Sequence, residues 1–328
     1  MDTTTEQHEA TGADEDIDAT MHRLLDAELD YRPGARGGFI SHLAMSLVAA
    51  DRLGATSDEL QQWFDGQTRG DFLIPRERPV SLDEPVARMC RDGIEAEVRR
   101  RLPALVVAPE SQFFHAPIRL ELAIDAGDEA QVANALENWE AHATPLPRRP
   151  EGDGDRSIAE VLRDLVDAPE AVAASALDVH GVAAQDWFAA RLAELRIDDD
   201  TPAELAALAA ASHTEPRHFG TLHLVTGMRA VRALAPYLEA EDRRELWLRS
   251  AQALAAAMLS FGGSLPSADE IDERRRSAPA TWEGLAEAAF ASGDPHVAKV
   301  VYAAMLEERA TGDPIYRSIA ARQVGRPV

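Results

Sequence analysis

The run Asp294-Pro295-His296-Val297-Ala298-Lys299-Val300-Val301-Tyr302-Ala303-Ala304-Met305-Leu306 announces a helix in its first two residues. An aspartate cap followed by proline at the first helical position is a strong start signal. The cap side chain accepts an orphan amide, and proline has no amide to leave unpaired. From there His296, Lys299, Ala303 and Leu306 recur at three- and four-residue steps, which puts them on one face. Ala303 and Leu306 make that face read as buried rather than wet.

The same period continues along the chain. It predicts helices over 295–310 and 314–323, and earlier over 113–126, 129–141, 158–166, 183–195, 202–211, 219–238, 241–261 and 282–291. A first amphipathic helix carries Met21, Leu24, Leu25 and Leu29, and a second spans 39–53 and stops at Gly54. Thr56-Ser57-Asp58-Glu59 and Ser81-Leu82-Asp83-Glu84 both have capping-box spacing, the second opening a long helix through Ile94 and Val98 to Pro103. No stretch alternates over six residues, and the short run Leu105-Val106-Val107 ends at Ala108-Pro109. No constant repeat marks a solenoid. The expected fold is all-α: one helical, non-solenoid domain over 18–328 behind a disordered acidic tail over 1–17. A mobile loop is expected at 144–156, where three prolines and two glycines cluster.

The chain has 328 residues, of which 45% are hydrophobic, enough to bury a sizeable core. Its single cysteine, Cys90, excludes an internal disulfide and a multi-cysteine zinc site, and reads as a small core or boundary residue. Thirty-three basic residues against fifty-seven acidic ones leave a net charge of −24, which argues against nucleic acid and anionic membrane as partners. No apolar run has the length of a membrane span, and the acidic start is unlike a signal peptide. A soluble cytoplasmic protein is expected, with its oligomeric state unreadable. Thirty-two of the basic residues are arginine and only Lys299 is lysine. Codon bias explains most of that. A position that resists the bias can be one that needs an amine, because lysine can lose its proton and arginine in effect cannot.

Gly34-Ala35-Arg36-Gly37-Gly38 and Gly262-Gly263 lack the strand-turn-helix setting of a dinucleotide fingerprint, so NADPH, if it takes part, has no recognisable Rossmann site. No Gly-x-Ser-x-Gly elbow is present. Of the ten histidines, His8, His22, His142, His180 and His213 read as structural or solvated. Four others lie in apolar helical surroundings: His42, His115, His223 (with Gly227 one turn on, leaving space beside the imidazole) and His296. Several buried imidazoles and a buried amine are costly to desolvate unless they share a purpose, and a divalent metal would supply one.

The segments around these four carry a resemblance. Ser41-His42-Leu43-Ala44-Met45 with Arg52-Leu53-Gly54-Ala55 resembles a signature of questin oxidase-like proteins. So do Phe114-His115-Ala116-Pro117-Ile118-Arg119, Leu222-His223-Leu224-Val225-Thr226-Gly227 and His296-Val297-Ala298-Lys299, in the expected order from about residue 20 to 320. The resemblance implies an all-helical oxygenase that opens or inserts oxygen into polycyclic aromatic polyketides such as anthraquinones, by Baeyer–Villiger-like or dioxygenase chemistry. It implies non-haem Fe(II) held by His42, His115, His223 and His296, with Lys299 as a carboxylated ligand. Ser41, Ala44, Ala116 and Pro117 depart from the family pattern and bear on the pocket wall more than on the metal. His218 is an alternative ligand.

The function expected is therefore an iron-dependent oxygenase taking O2 and a small aromatic substrate. Arg119 would hold a phenolate or carboxylate, or else pair with Glu121 or Asp125 on its own helix. Phe39, Phe113 and Phe114 would face the substrate or pack the core. The rivals are a non-catalytic helical scaffold or binding protein and a zinc-dependent hydrolase, which metal analysis separates.

Overall fold

Apolar residues at helical spacing are realised as eighteen α-helices and one two-stranded sheet among the described residues. A computed structural model describes residues 12–213, 218–277 and 281–325, with side chains from residue 17 onward. The first third holds α1 (Gly12–Glu28), β1 (Tyr31–Ala35), a 3-10 turn at Arg36–Gly38, α2 (Leu43–Arg52), α3 (Ser57–Thr68), β2 (Leu73–Pro75), α4 (Asp83–Asp92) and α5 (Ile94–Arg101). The middle holds α6 (His115–Ala126), α7 (Glu129–His142), α8 (Ile158–Val166) and three short helices, α9 (Ala171–Ala174), α10 (Val179–Ala183) and α11 (Asp186–Leu192). The last third holds α12 (Thr201–Ser212), α13 (Phe219–Leu234), α14 (Ala240–Ser260), α15 (Ala268–Arg276), α16 (Trp282–Ser292), α17 (Pro295–Thr311) and α18 (Ile315–Gln323).

Four of these helices make a closed ring of neighbours. α2 packs on α6, α6 on α13, α13 on α17, and α17 back on α2. α17 can sit in the middle because Val297 through Met305 are all buried, so the helix is apolar on more than one side. Its N-terminus is built as the cap and proline predict, with Asp294 accepting from the amide of His296. The main apolar core runs from Met21 to Met305 and draws on both sides of the 144–156 loop. A smaller core, including Leu285, Val300 and Ile319, joins α16, α17 and α18.

The departures from the expected elements have local causes. Residues 39–42 are not helical: Ile40 bridges to Gly34, and the Ser41 amide donates to the Pro33 carbonyl, so α2 starts only at Leu43. Ser81 does not cap α4; the cap position is Leu82, without a side-chain bond. Were Ser81 the cap, Pro85 would stand where the first intrahelical amide is needed. Starting at Asp83 leaves it among positions whose amides have no intrahelical partner. The long helix expected after it breaks at Gly93, whose φ of 88° a helix interior excludes. The helix expected over 183–195 is realised only as the shorter α11, Asp186–Leu192, and α10 ends at Ala183 where that helix was expected to begin.

The hairpin of β1 and β2, antiparallel with a bulge, was not legible because Arg32-Pro33-Gly34 interrupts any alternation. Of the expected tail, residues 1–11 lie outside the described residues, and α1 extends the Met21–Leu25 period back to Gly12. The 144–156 loop is irregular, but it is strapped rather than loose. Arg249 and Gln252 of α14 donate to the carbonyls of Leu146, Pro147 and Arg148, and the Gly154 amide donates to Leu195. Cys90 is exposed, not a core residue.

Candidate metal centre

Each helix of the ring contributes one histidine to a single cluster. His42 stands at the cap position of α2, His115 at the first residue of α6, His223 in the second turn of α13 and His296 at the start of α17. The Nε2 of His115 lies 2.7 Å from that of His42 and 3.1 Å from that of His223. The His42 and His296 rings are 4.3 Å apart and those of His223 and His296 5.6 Å. One ring nitrogen each from His42, His223 and His296 lies within 4.8 Å of the others. The structure thus brings together all four histidines read from the sequence.

The local backbone is shaped to aim these rings. Gln112, Phe113 and Phe114 are three consecutive non-glycine residues in the left-handed region, with φ of 53°, 58° and 64°. Such a conformation costs roughly 1–2 kcal/mol per residue. It is held because the Phe114 ring is fully buried against Gly227, where a β-carbon would lie 2.8 Å from Phe114 Cβ. The space left by Gly227 therefore admits Phe114, not an imidazole. His115 Nδ1 closes the turn on the Gln112 carbonyl at 2.6 Å.

That bond and two like it decide the tautomers. His223 Nδ1 lies 2.7 Å from the Phe219 carbonyl, and His296 Nδ1 lies 3.1 Å from Asp294 Oδ1. A carbonyl oxygen can only accept, so Nδ1 of His115 and of His223 carries the hydrogen. In the neutral rings both Nε2 atoms are then bare lone pairs, yet they face each other at 3.1 Å. His42 can donate one N–H to His115. Among the described residues nothing donates to His223 Nε2, and His296 Nε2 is buried without a partner.

Facing lone pairs repel unless a cation lies between them. Nitrogens bound at 2.0–2.1 Å to one ion stand about 3.0–3.4 Å apart, close to the spacing found here. Burial first, then the charge of Lys299 and of neighbouring imidazoles, holds His42 and His115 well below the usual histidine range. Burial, then His115 and Lys299, does the same for His223. The rings are kept in the form that binds metal.

Lys299 is buried, and among the described residues its Nζ has no hydrogen-bond partner. Burial, helped by the nearby Arg119 charge and opposed by Asp294, pushes its amine down to about 7. Arg119 does not face the substrate space. Its guanidinium is 2% exposed, lies 3.4 Å from Glu28 and donates to the Ser41 carbonyl at 2.8 Å. It fixes the backbone directly before His42, and neither Glu121 nor Asp125 is its partner; those acids meet Arg229 and Arg52 instead. An arginine on the same face as the histidine of a short motif looks like a substrate anchor in sequence. Its partner Glu28 lies 91 residues away and leaves no local trace.

A cavity of about 670 Å³ opens onto the cluster. His42, His115 and His296 form one wall, and Phe39, Ile40, Leu43, Phe72, Leu73, Phe113 and Phe219 supply the rest of the apolar lining. Phe113 and Phe219 lie nearly parallel, 5.8 Å apart at 18°. Phe39 and Phe113 thus line the cavity while Phe114 packs the core. The sequence reading missed Phe72, Phe219 and Gln112.

His218 caps α13, accepting from the Thr221 amide at Nδ1, and does not join the cluster. His213 bonds Thr221 and Gln323, His22 meets Asp128, His142 bonds the Asn138 carbonyl, and His180 is exposed; His8 lies outside the described residues. No helix among the described residues is long and apolar enough to cross a membrane. Among curated proteins none matches the chain. The sequence family described as questin oxidase-like matches residues 88–304, a span that includes His115, His223, His296 and Lys299 and leaves His42 outside.

Proposed function

This chain belongs to the questin oxidase-like family, oxidoreductases of oxygenase type, and from that membership we propose an Fe(II)-dependent oxygenase that cleaves or inserts oxygen into a polycyclic aromatic quinone. The observation that carries the reading is the pair of bare Nε2 lone pairs on His115 and His223, with the orphaned Nε2 of His296 beside them. Ring nitrogens drawn together in the interior, each fixed from behind through Nδ1, are what a non-haem metal needs. His42, His115, His223 and His296 would hold the ion. A ferrous ion bound there would supply the activation of O2.

The chain's own residues do the rest. The phenylalanine walls bind a flat ring system and exclude water from the histidine face. Phe113 and Phe219 offer near-parallel faces for stacking. With its amine held near 7, Lys299 has a free electron pair in much of the population at neutral pH. It can therefore capture CO2 as a carbamate and ligate the metal, or take up a proton at Nζ beside the site. Arg119 positions His42 through the Ser41 carbonyl.

The test is anaerobic reconstitution with Fe(II), elemental analysis, and O2 uptake with an anthraquinone such as emodin. About one iron per chain and substrate-dependent O2 uptake are expected, both lost in His223→Ala. A chain that binds no metal would instead be a scaffold, and one that takes only zinc and consumes no O2 a hydrolase.

A further inference from the structure

Beside the apolar cavity lies a second one, of about 920 Å³ and opposite character. Its walls carry Arg32, Arg76, Arg78 and His142 against a single acid, Glu77. In a chain of net charge −24, three guanidiniums and one carboxylate line this concave surface; Glu28 and Glu137 act on Arg76 from behind, which leaves Arg32 and Arg78 as its available positive charge. Such a cleft concentrates small anions.

The three arginines are not equivalent. Arg76 is committed to the fold, donating to the Tyr31 carbonyl and to Asn134, both at 2.9 Å. Arg32 has one exposed pairing, with Glu77 at 3.5 Å, of the kind that contributes little. Arg78 has no ion pair or hydrogen bond among the described residues. His142 spends Nδ1 on the Asn138 carbonyl, which leaves Nε2 for a ligand.

The two cavities share Gly38, Phe39, Ile40 and Gln112 as a common wall. Gln112 serves both: its side chain pairs with Asn138 at 2.6 Å, and its carbonyl holds His115 Nδ1. Phe39 is 56% exposed and follows Gly37 and Gly38, both at positive φ. The partition is an aromatic side chain on a glycine turn, not a packed layer. A molecule with an apolar body and a charged end would lie across it.

We propose that the second cavity binds a carboxylate of the substrate, held by Arg78 and Arg32, while the aromatic body occupies the apolar cavity. This deepens the oxygenase reading and rests on it: the substrate class becomes an anionic aromatic acid rather than a neutral quinone. The fork of a guanidinium matches two carboxylate oxygens, and an unpaired one at a cavity wall has no structural employment.

The experiment titrates the full-length, metal-free chain with 9,10-anthraquinone-2-carboxylate and with the neutral 2-carboxamide, following tryptophan fluorescence. The carboxylate should bind about tenfold more tightly at low salt, and the advantage should shrink as salt is added. In a doubly substituted chain, Arg78→Gln with Arg32→Gln, its affinity should fall to that of the carboxamide. Equal affinities in the wild type, no binding of either compound, or a preference that survives both substitutions would overturn the proposal. Preference for the carboxylate with no turnover of either compound by the iron-loaded chain would overturn the oxygenase reading and leave the anion site standing.

Discussion

Methionine has nearly the volume of lysine without its amine, so a Lys299→Met variant isolates what that amine costs the fold. The amine sits in the interior with no hydrogen-bond partner among the described residues, and burial, then the Arg119 charge, lowers it from 10.5 to about 7. The unfolded chain therefore takes up this proton below pH 10.5, the folded chain only below about 7. Between those values the unfolded state binds more protons, so native stability rises with pH across that window and the penalty is complete below it. At 1.36 kcal/mol per unit the shift corresponds to about 5 kcal/mol.

Lys299→Met removes the penalty, so the metal-free variant should be more stable by about 3–5 kcal/mol at pH 6, with the gain shrinking toward zero by pH 10.5. Urea unfolding at pH 6, 8 and 10 measures this directly. Stoichiometric iron and turnover should disappear in the same variant. Lys299→Arg should lose turnover without gaining stability, because a guanidinium stays charged when buried. A Lys299→Met chain no more stable than wild type at pH 6, or stabilised equally at every pH, would refute the picture of an uncompensated buried amine.

Two further substitutions probe the frame around the site. Gly227→Ala drives a β-carbon to within 2.8 Å of Phe114 and should cost about 1–3 kcal/mol while lowering iron content through displacement of His115; unchanged thermal stability and metal content would show that Phe114 does not set that ring. Glu121, pushed up to about 7 by burial and by Asp125 and Glu307 against Arg229, ionises near 4.5 when unfolded, so it makes stability fall as pH rises from 4.5 to 7. Glu121→Gln should remove up to about 3 kcal/mol of that fall, and identical pH–stability profiles for the two proteins would count against it.

The fold class was legible because the longer helices keep an apolar period and several add a cap, as with Asp294-Pro295 and Thr56 with Glu59. The four histidines stood out for a related reason: each lies in an apolar stretch of sequence, where an imidazole needs a cause. What stayed hidden depends on contacts distant in sequence. The ion pair of Arg119 with Glu28, the Phe114 ring over Gly227 and the hairpin that holds Phe39 and Phe72 at the cavity mouth all join segments far apart. Ser81 failed as a cap because a proline further on outvoted it, a competition that spacing rules do not register.

The ring of α2, α6, α13 and α17 has a consequence for how the protein matures. His42 and His296 are separated by about 250 residues of chain, with one further histidine contributed by each of the two intervening ring helices. No contiguous fragment shorter than that separation contains the whole set. A nascent chain emerging N-terminus first exposes imidazoles one at a time, and each alone is a weak ligand that releases a stray ion easily. Only when α17 has docked between α2 and α13 do all four nitrogens meet. Under the proposed function, metal capture would be a receipt for completed folding: truncated or half-assembled chains would stay empty, and redox-active iron would be withheld from any chain still exposing its interior.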